Sequence, residues 1–393
     1  MRGLSNDVVN PKYALVHEWL TPNATGGSEL VVQEILKHID ADLYALIDFE
    51  SINPNSYLYK RKIGTTFLQH FPFAKNGVQK YLPFLPIAIE QLDLRDYDII
   101  LSSYHAVAKG VLTAPHQLHV CYCHAPMRYV WDMTFDYLRS SRAGQGIPGI
   151  FTRYLLHQLR QWDVISANRV DFFIANSSHT ARRIWRCYRR SAEVIYPPVA
   201  VDRFPFQSQK QDFYLTVSRL VSYKKIALIV QAFNRLKLPL IVIGSGPELK
   251  VIQAIAKPNI QILGWQPNAV VEDYMKQAKA FVYAAYEDFG IAPVEAQACG
   301  TPVIAYGAGG TLETVKDIRT YAKQSTGILF PEQTEQAIVD AVELFEQSCF
   351  DSETVRSHAL GFHPDIFKRR YLEFLDRAYE QFQKQGGKIN WES

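Results

Sequence analysis

The chain has 393 residues, 48% hydrophobic and 21% charged, with a formal net charge of +3; that length exceeds one ordinary core, so two domains are expected, and the composition excludes a disordered or fibrous chain. No run of about 18 apolar residues exists, so no membrane-spanning helix is expected. The first twelve residues, ending in Asn10-Pro11-Lys12, lack a signal peptide's apolar core, which places the chain in the cytoplasm as an expectation.

Tyr13-Ala14-Leu15-Val16 predicts a short buried strand, followed by a Thr-Pro-Asn-Ala-Thr-Gly-Gly loop and a helix over 29–39. Further strands are expected at 99–102, 119–122 and 172–175, separated by helix-length segments. A polar run over 207–212 reads as a linker after Tyr196-Pro197-Pro198. A second cycle then places strands at 214–217, 240–243, 260–263, 280–283 and 303–305, and a last helix over 366–382 with Phe367, Tyr371, Phe374, Leu375 and Phe382 near one face. Alternation of this kind implies parallel sheets wrapped by helices. The expected class is α/β, two Rossmann-like domains facing across a cleft. The expected boundaries are 1–196, a linker 197–212, 213–365, and a tail 366–393 that packs back on the N-terminal domain. Ligands of such sheets bind beyond the carboxyl ends of the strands.

Five cysteines are too few and too odd for a disulfide framework. Cys121, Cys123 and His124 suggest metal ligands, but 121 and 123 share one face of a strand while 124 points away, so buried thiols are expected. Asp96-Tyr97-Asp98 reads as turn polarity before a strand rather than a metal motif. Residues 1–200 carry 21 Lys and Arg against 17 Asp and Glu. The excess concentrates in two acid-free stretches, 51–89 and 172–192. The first mixes Lys60, Arg61, Lys62, Lys75 and Lys80 with Tyr57, Tyr59, Phe67, Phe71, Phe73, Tyr81 and Phe84, which suits an anionic bilayer surface or a lipid-linked ligand, against the plainer reading of a solvated basic face. No nucleic-acid motif accompanies the charge.

Two motifs carry chemistry. Gly244-Ser245-Gly246 follows a strand and opens a helix, but it lacks a third glycine and a ribose-binding acid, so a turn near a nucleotide phosphate is expected rather than NAD binding. In Glu287-Asp288-Phe289-Gly290-Ile291-Ala292-Pro293-Val294-Glu295, Glu287 sits on the loop after a strand and Glu295 on the first turns of a helix begun near Pro293 and ended by Gly300. Two carboxylates so placed accept hydrogen bonds from sugar hydroxyls while helix-start amides face a phosphate.

The Glu-x7-Glu spacing resembles the signature of the retaining glycosyltransferase family 4, whose members have the GT-B fold. Gly26-Gly27 resembles the family's first glycine loop, Ser218-Arg219 with Lys224 its diphosphate-binding pair, and Gly309-Gly310 with Glu313 its later glycine turn. Cys123-His124-Ala125-Pro126-Met127-Arg128-Tyr129 and Trp131-Asp132 are similar to a branch of bacterial mannosyltransferases that build O-antigen and exopolysaccharide. The resemblance implies transfer of a hexose, mannose favoured, from a nucleotide-diphosphate sugar to a lipid-linked or polysaccharide acceptor, in cell-surface glycan synthesis at the inner membrane face. GDP-mannose is the favoured donor and a UDP-sugar the second; no cofactor or metal is expected. The implied catalytic set is His124, Arg219, Lys224 and Glu287. The donor-binding set is Gly26, Gly27, Ser218, Gly244, Gly246, Asp288, Phe289, Gly290, Ile291 and Glu295. His105 and Arg128 are acceptor-side candidates, and Lys109 is expected to be an exposed cation. A nucleotide-sugar epimerase of the same architecture and a non-catalytic membrane-surface module are the competing readings.

Overall fold

The computed structural model describes residues 11–22, 26–135, 138, 146–384 and 386. Seven strands build the first sheet: β1 (Tyr13–His17), β2 (Ala41–Ala45), β3 (Ile63–Gly64), β4 (Ile99–Tyr104), β5 (Leu118–Cys123), β6 (Phe172–Ala175) and β7 (Ala192–Val194). Their spatial order is β3-β2-β1-β4-β5-β6-β7 and each pairing is parallel. Every residue of β4 and β5 is buried, as an apolar strand covered on both faces must be. The helices include α1 (Gly27–His38), α2 (Gly146–Ser166) and α3 (Ser178–Tyr188).

The second sheet takes β8 (Tyr214–Val217), β9 (Leu240–Ile243), β10 (Ile260–Gly264), β11 (Ala280–Tyr283), β12 (Val303–Tyr306) and β13 (Gly327–Phe330), ordered β10-β9-β8-β11-β12-β13 and again parallel throughout. Its helices include α4 (Ile226–Leu236), α5 (Leu249–Ile255), α6 (Asn268–Gln277), α7 (Ile291–Ala298), α8 (Glu335–Glu346) and α9 (Ser352–Ala359). Each sheet runs outward from its first strand in one direction and then reverses, so the switch points lie between β1 and β4 and between β8 and β11. The carboxyl ends at these switch points are where an open α/β sheet holds its ligand.

The chain divides into two compact units. One holds residues up to Asn176, Thr180–Ile195 and those from Lys368 on; the other holds Ser177–His179 and Tyr196–Phe367. The segment 197–212, expected as a linker, instead places Val199, Val201 and Phe204 in the apolar core of the second unit. The last helix, α10 (Pro364–Lys384), buries the five expected residues Phe367, Tyr371, Phe374, Leu375 and Phe382. Within the first unit, Tyr371 lies 6.4 Å from Tyr122 and Phe374 lies 6.2 Å from Phe172, ring centre to ring centre, and Arg377 pairs with Glu193 at 2.8 Å.

Cys121 and Cys123 are buried thiols in one apolar cluster of β5. Lys109 corrects the sequence expectation, because its side chain is fully buried rather than exposed. Its ammonium donates to Ser166 Oγ and the Asp163 carbonyl, each at 2.6 Å, and meets the Asp163 carboxylate at 2.9 Å. Tyr104, Tyr188 and Trp131 donate to the same carboxylate. Among the described residues, no helix is long and apolar enough to cross a membrane.

Candidate active site

In the second unit the site grows from the switch point. β8 and β11 pair with each other only through Tyr214 with Ala280 and Leu215 with Phe281, so their carboxyl halves part from one another while staying paired to β9 and β12. Ser218 and Arg219 lie on the loop leaving β8, Arg219 exposed. Lys224 closes a single 3-10 turn, Ser222–Lys224. Its ammonium forms an ion pair with Glu287 and lies 3.4 Å from the Tyr283 hydroxyl, which donates to the other carboxylate oxygen of Glu287. The pair is only 15% and 21% exposed, so its charges act in a partly water-excluded setting, where they count for more than on an open surface. Tyr283 was missed in the sequence because the last residue of an apolar strand reads as core.

Two glycine turns shape the same edge. Gly244, with φ of +146°, passes so close to β8 that a Cβ would stand 1.8 Å from the Ser218 carbonyl oxygen. Gly309, with φ of +75°, would place a Cβ 2.3 Å from the Glu287 carbonyl oxygen, and the amide of Gly310 donates to that oxygen at 2.8 Å. The turn after β12 therefore clamps the Glu287 backbone, and no larger residue allows that approach. Gly246 precedes α5, and Gly290 caps α7 in the left-handed region.

Glu295 sits on α7 beside Arg203, whose guanidinium lies 3.8 Å from it and 2.9 Å from Glu272. Burial pushes the Glu295 carboxyl up to about 7, against the pull of Arg203 and with a further push from Glu272. Arg203 and Glu272 were not singled out in the sequence, since each lies on a different segment from Glu295. Phe289 departs from the donor-binding expectation: its ring is 4% exposed and packs between Tyr196 and Phe362, so its side chain belongs to the core. Ile291 packs partly on that core as well. Asp288 is nearly buried, with one oxygen 3.9 Å from His179 Nε2.

In the first unit, Gly26 caps α1 and Gly27 begins it. His124 follows β5, and its Nε2 is 2.8 Å from Ser103 Oγ. Burial depresses its pKa well below the usual imidazole value, with His105 and His17 adding to the effect. His105 follows β4 and is lowered for the same first reason; its ring lies 6.2 Å from that of His124. Arg128 is half-buried in the turn beyond. His17, Ser103 and Glu29 join this group at the β1/β4 switch point and were missed, although His17 ends the first strand. A cavity of about 790 Å³ lies away from these residues, lined by Lys12, Tyr13, Asp40, Asp42 and Asp376.

Of the basic aromatic stretch, Phe67, Phe71 and Tyr81 pack on the core. Tyr57, Tyr59, Phe73, Phe84 and Ile87 are exposed, and Lys60 and Lys80 lie over the rings of Tyr59 and Phe73. In the second basic stretch, Arg183 pairs with Asp132 and Arg190 holds three carbonyls, leaving Arg182, Arg186 and Arg189 exposed on the surface.

Residues 25–203 match the family model described as Glycosyltransferase Family 4, and residues 200–355 match the one described as Glycosyl transferases group 1. The chain is 26% identical to an alpha-1,3/1,6-mannosyltransferase, ALG2, of Saccharomyces cerevisiae, over 53% of this chain and 50% of that protein. The chain spans half or less of the first curated relatives it matches. Among solved structures it resembles sucrose-phosphate synthase of Thermosynechococcus elongatus, with TM-score 0.68 and 16% identity over 93% of this chain and 99% of that one. It also resembles Anabaena HepE in complex with UDP and glucose, with TM-score 0.65 and 17% identity over 92% and 99% of the two chains. These two likenesses establish the fold.

Proposed function

We propose that this chain, which belongs to the family 4 glycosyltransferases and has the GT-B fold, moves a hexose from a nucleotide-diphosphate sugar to a lipid-linked or polysaccharide acceptor. The observation that carries the reading is the Lys224–Glu287–Tyr283 cluster at the β8/β11 switch point. In the reaction the bond from the anomeric carbon to the diphosphate oxygen breaks and a bond to the acceptor oxygen forms. The acceptor's proton passes to the leaving phosphate. New negative charge on that phosphate calls for fixed cations, and Lys224 and Arg219 supply them without a metal. Glu287, released from Lys224 as the ammonium turns to phosphate, accepts from hydroxyls of the donor sugar. Glu295 accepts from the ribose diol, and Ser218, Gly244, Gly246, Asp288 and the α7 amides near Gly290 line the nucleotide. The main-chain groups of Phe289 and Ile291 serve there too. Gly26 and Gly27 complete the donor set, His124 meets a sugar hydroxyl, and His105 and Arg128 serve the acceptor.

Mannose from GDP-mannose is the first choice of donor, on the likeness of the His124 to Arg128 run and on similarity to a protein named as a mannosyltransferase. A UDP-sugar is the second, since a structural neighbour was crystallised with UDP. Exposed Phe73, Ile87 and Tyr59 among Lys60, Lys75 and Lys80 suit contact with an anionic membrane at the cytoplasmic face. A thermal-shift comparison of GDP, UDP and ADP tests the donor reading, because a nucleotide bound only by the folded state raises its melting temperature. GDP should give the largest shift. No shift with any of the three would sink the proposal.

A further inference from the structure

Glu29, His17, Ser103 and His124 form a polar line at the carboxyl edge of β1, β4 and β5. Glu29 Oε2 accepts from the Gly26 amide at 3.0 Å and from Ser28 Oγ at 2.9 Å. That leaves Oε1 facing His17 Nε2 at 3.9 Å. This ring nitrogen is buried and has no hydrogen-bond partner. On the other side of the ring, Nδ1 is 3.1 Å from Ser103 Oγ, and the same hydroxyl is 2.8 Å from His124 Nε2. His17 and Ser103 are both fully buried.

A serine hydroxyl carries one proton, and a neutral imidazole carries one proton on either of two nitrogens. Between two such rings the hydroxyl has one proton to give, so once it donates to one ring the other ring must present an N–H to it, and the two tautomers are linked. The carboxylate of Glu29 only accepts, and its charge favours a proton on the nitrogen that faces it. With the proton on His17 Nε2, Nδ1 is a lone pair that accepts from Ser103. Ser103 Oγ then accepts from His124 Nε2–H, and His124 Nδ1 is left bare. We propose that Glu29, through His17 and Ser103, is a positioning residue that fixes His124 as the Nε2–H tautomer, so that His124 offers a hydroxyl an acceptor rather than a donor.

The charge states agree with this geometry. Burial opposes ionisation of Glu29, yet the His17 imidazole beside it, the largest opposing cause, holds the carboxyl down to about 2, so Glu29 faces the ring as a carboxylate acceptor. Burial keeps His124 neutral. That the hydroxyl belongs to a sugar rests on the transferase reading; the tautomer does not.

Nitrogen-15 NMR of histidine-labelled protein, without donor or acceptor, reads the tautomer directly, and His124→Gln identifies the His124 signal by its loss. Wild type should show His124 protonated at Nε2 by at least tenfold over Nδ1. Glu29→Gln should invert it. The Gly26 amide holds the new carboxamide oxygen, so the NH2 group faces His17 Nε2, now a lone pair, and each proton along the line moves over by one place. Ser103→Ala should uncouple the rings, so that adding Glu29→Gln no longer changes His124. Wild-type His124 protonated at Nδ1, a doubly protonated His17 at neutral pH, or a folded Glu29→Gln protein with an unchanged His124 signal would each overturn the proposal. Kinetics supply a separate readout, in which Glu29→Gln lowers kcat at unchanged nucleotide Kd. Because the tautomer is measured without substrate, its failure is distinguishable from failure of the transferase assignment.

Discussion

Lys109→Met deletes the buried ammonium and keeps most of the alkyl volume. Asp163 would retain hydrogen bonds from Tyr104, Tyr188 and Trp131 but lose the cation 2.9 Å from its oxygen. Both side chains are fully shielded from water, so the remaining carboxylate cannot recover its hydration. Removing one partner of such a pair costs about 3–5 kcal/mol. For a unit of this size that corresponds to a drop in melting temperature of ~10 °C. Urea unfolding followed by tryptophan fluorescence measures it, and Trp131 and Trp162 lie beside the network as reporters. The double variant Lys109→Met/Asp163→Asn should be more stable than the single variant, since it removes the stranded charge. A loss below about 1 kcal/mol, the level of an exposed pair, would refute the reasoning.

Glu295 carries a pH prediction. Its folded-state pKa, about 7, lies above the ordinary 4.5, so between those values the folded protein binds the extra proton. Its contribution to stability therefore falls as pH rises through that window. Glu295→Gln should melt higher than wild type at pH 8 and converge with it below pH 4.5; a pH-independent difference would contradict the assignment. The ribose-binding role proposed for Glu295 requires the carboxylate, so on that proposal nucleotide affinity should rise from pH 5 to 8 in wild type and stay flat in Glu295→Gln, as calorimetry would read. Gly309→Ala forces a Cβ onto the Glu287 carbonyl, and a shift of about 1 Å in a reacting group costs roughly 100-fold. An undiminished transfer rate in the Gly309→Ala variant would show that the clamp is dispensable. At low salt the protein should sediment with anionic vesicles and be released by salt; Phe73→Ser with Ile87→Ser should weaken that, and full recovery of wild type in the supernatant would count against membrane contact.

Much of the scaffold was legible because apolar runs bounded by turn residues are local signals. β6, β8, β9 and β11 begin and end where their runs do. β2 was not, since Ala41–Ala45 carries an exposed Asp42 that interrupts the apolar run. Nor were β3, β7 and β13, two of them very short and the third opening on Gly327. For the site, Glu287 and the Gly244–Gly246 turn were legible by position after strands, whereas Lys224 and the Gly309–Gly310 turn were legible only through the family resemblance. Tyr283 was not, because it reads as core, and Arg203, Glu272, His17 and Ser103 were not, because their partners lie far away in sequence. Lys109 failed for the same reason: its partners lie on α2, more than fifty residues on. Phe289 is a different case, a motif position whose side chain turns inward to the core, which leaves its main chain for the proposed donor role.

The central claim is that Lys224 and Glu287 serve one transfer reaction. The most direct measurement is release of nucleoside diphosphate from GDP-mannose and UDP-sugars, with and without a lipid-linked acceptor, by wild type, Lys224→Ala and Glu287→Ala. Wild type should release diphosphate in step with acceptor glycosylation. Each variant should be slower by about 100–1000-fold, the usual cost of one lost transition-state contact, while remaining folded. Wild-type rates in either folded variant would contradict the account, as would interconversion of the nucleotide sugar without acceptor.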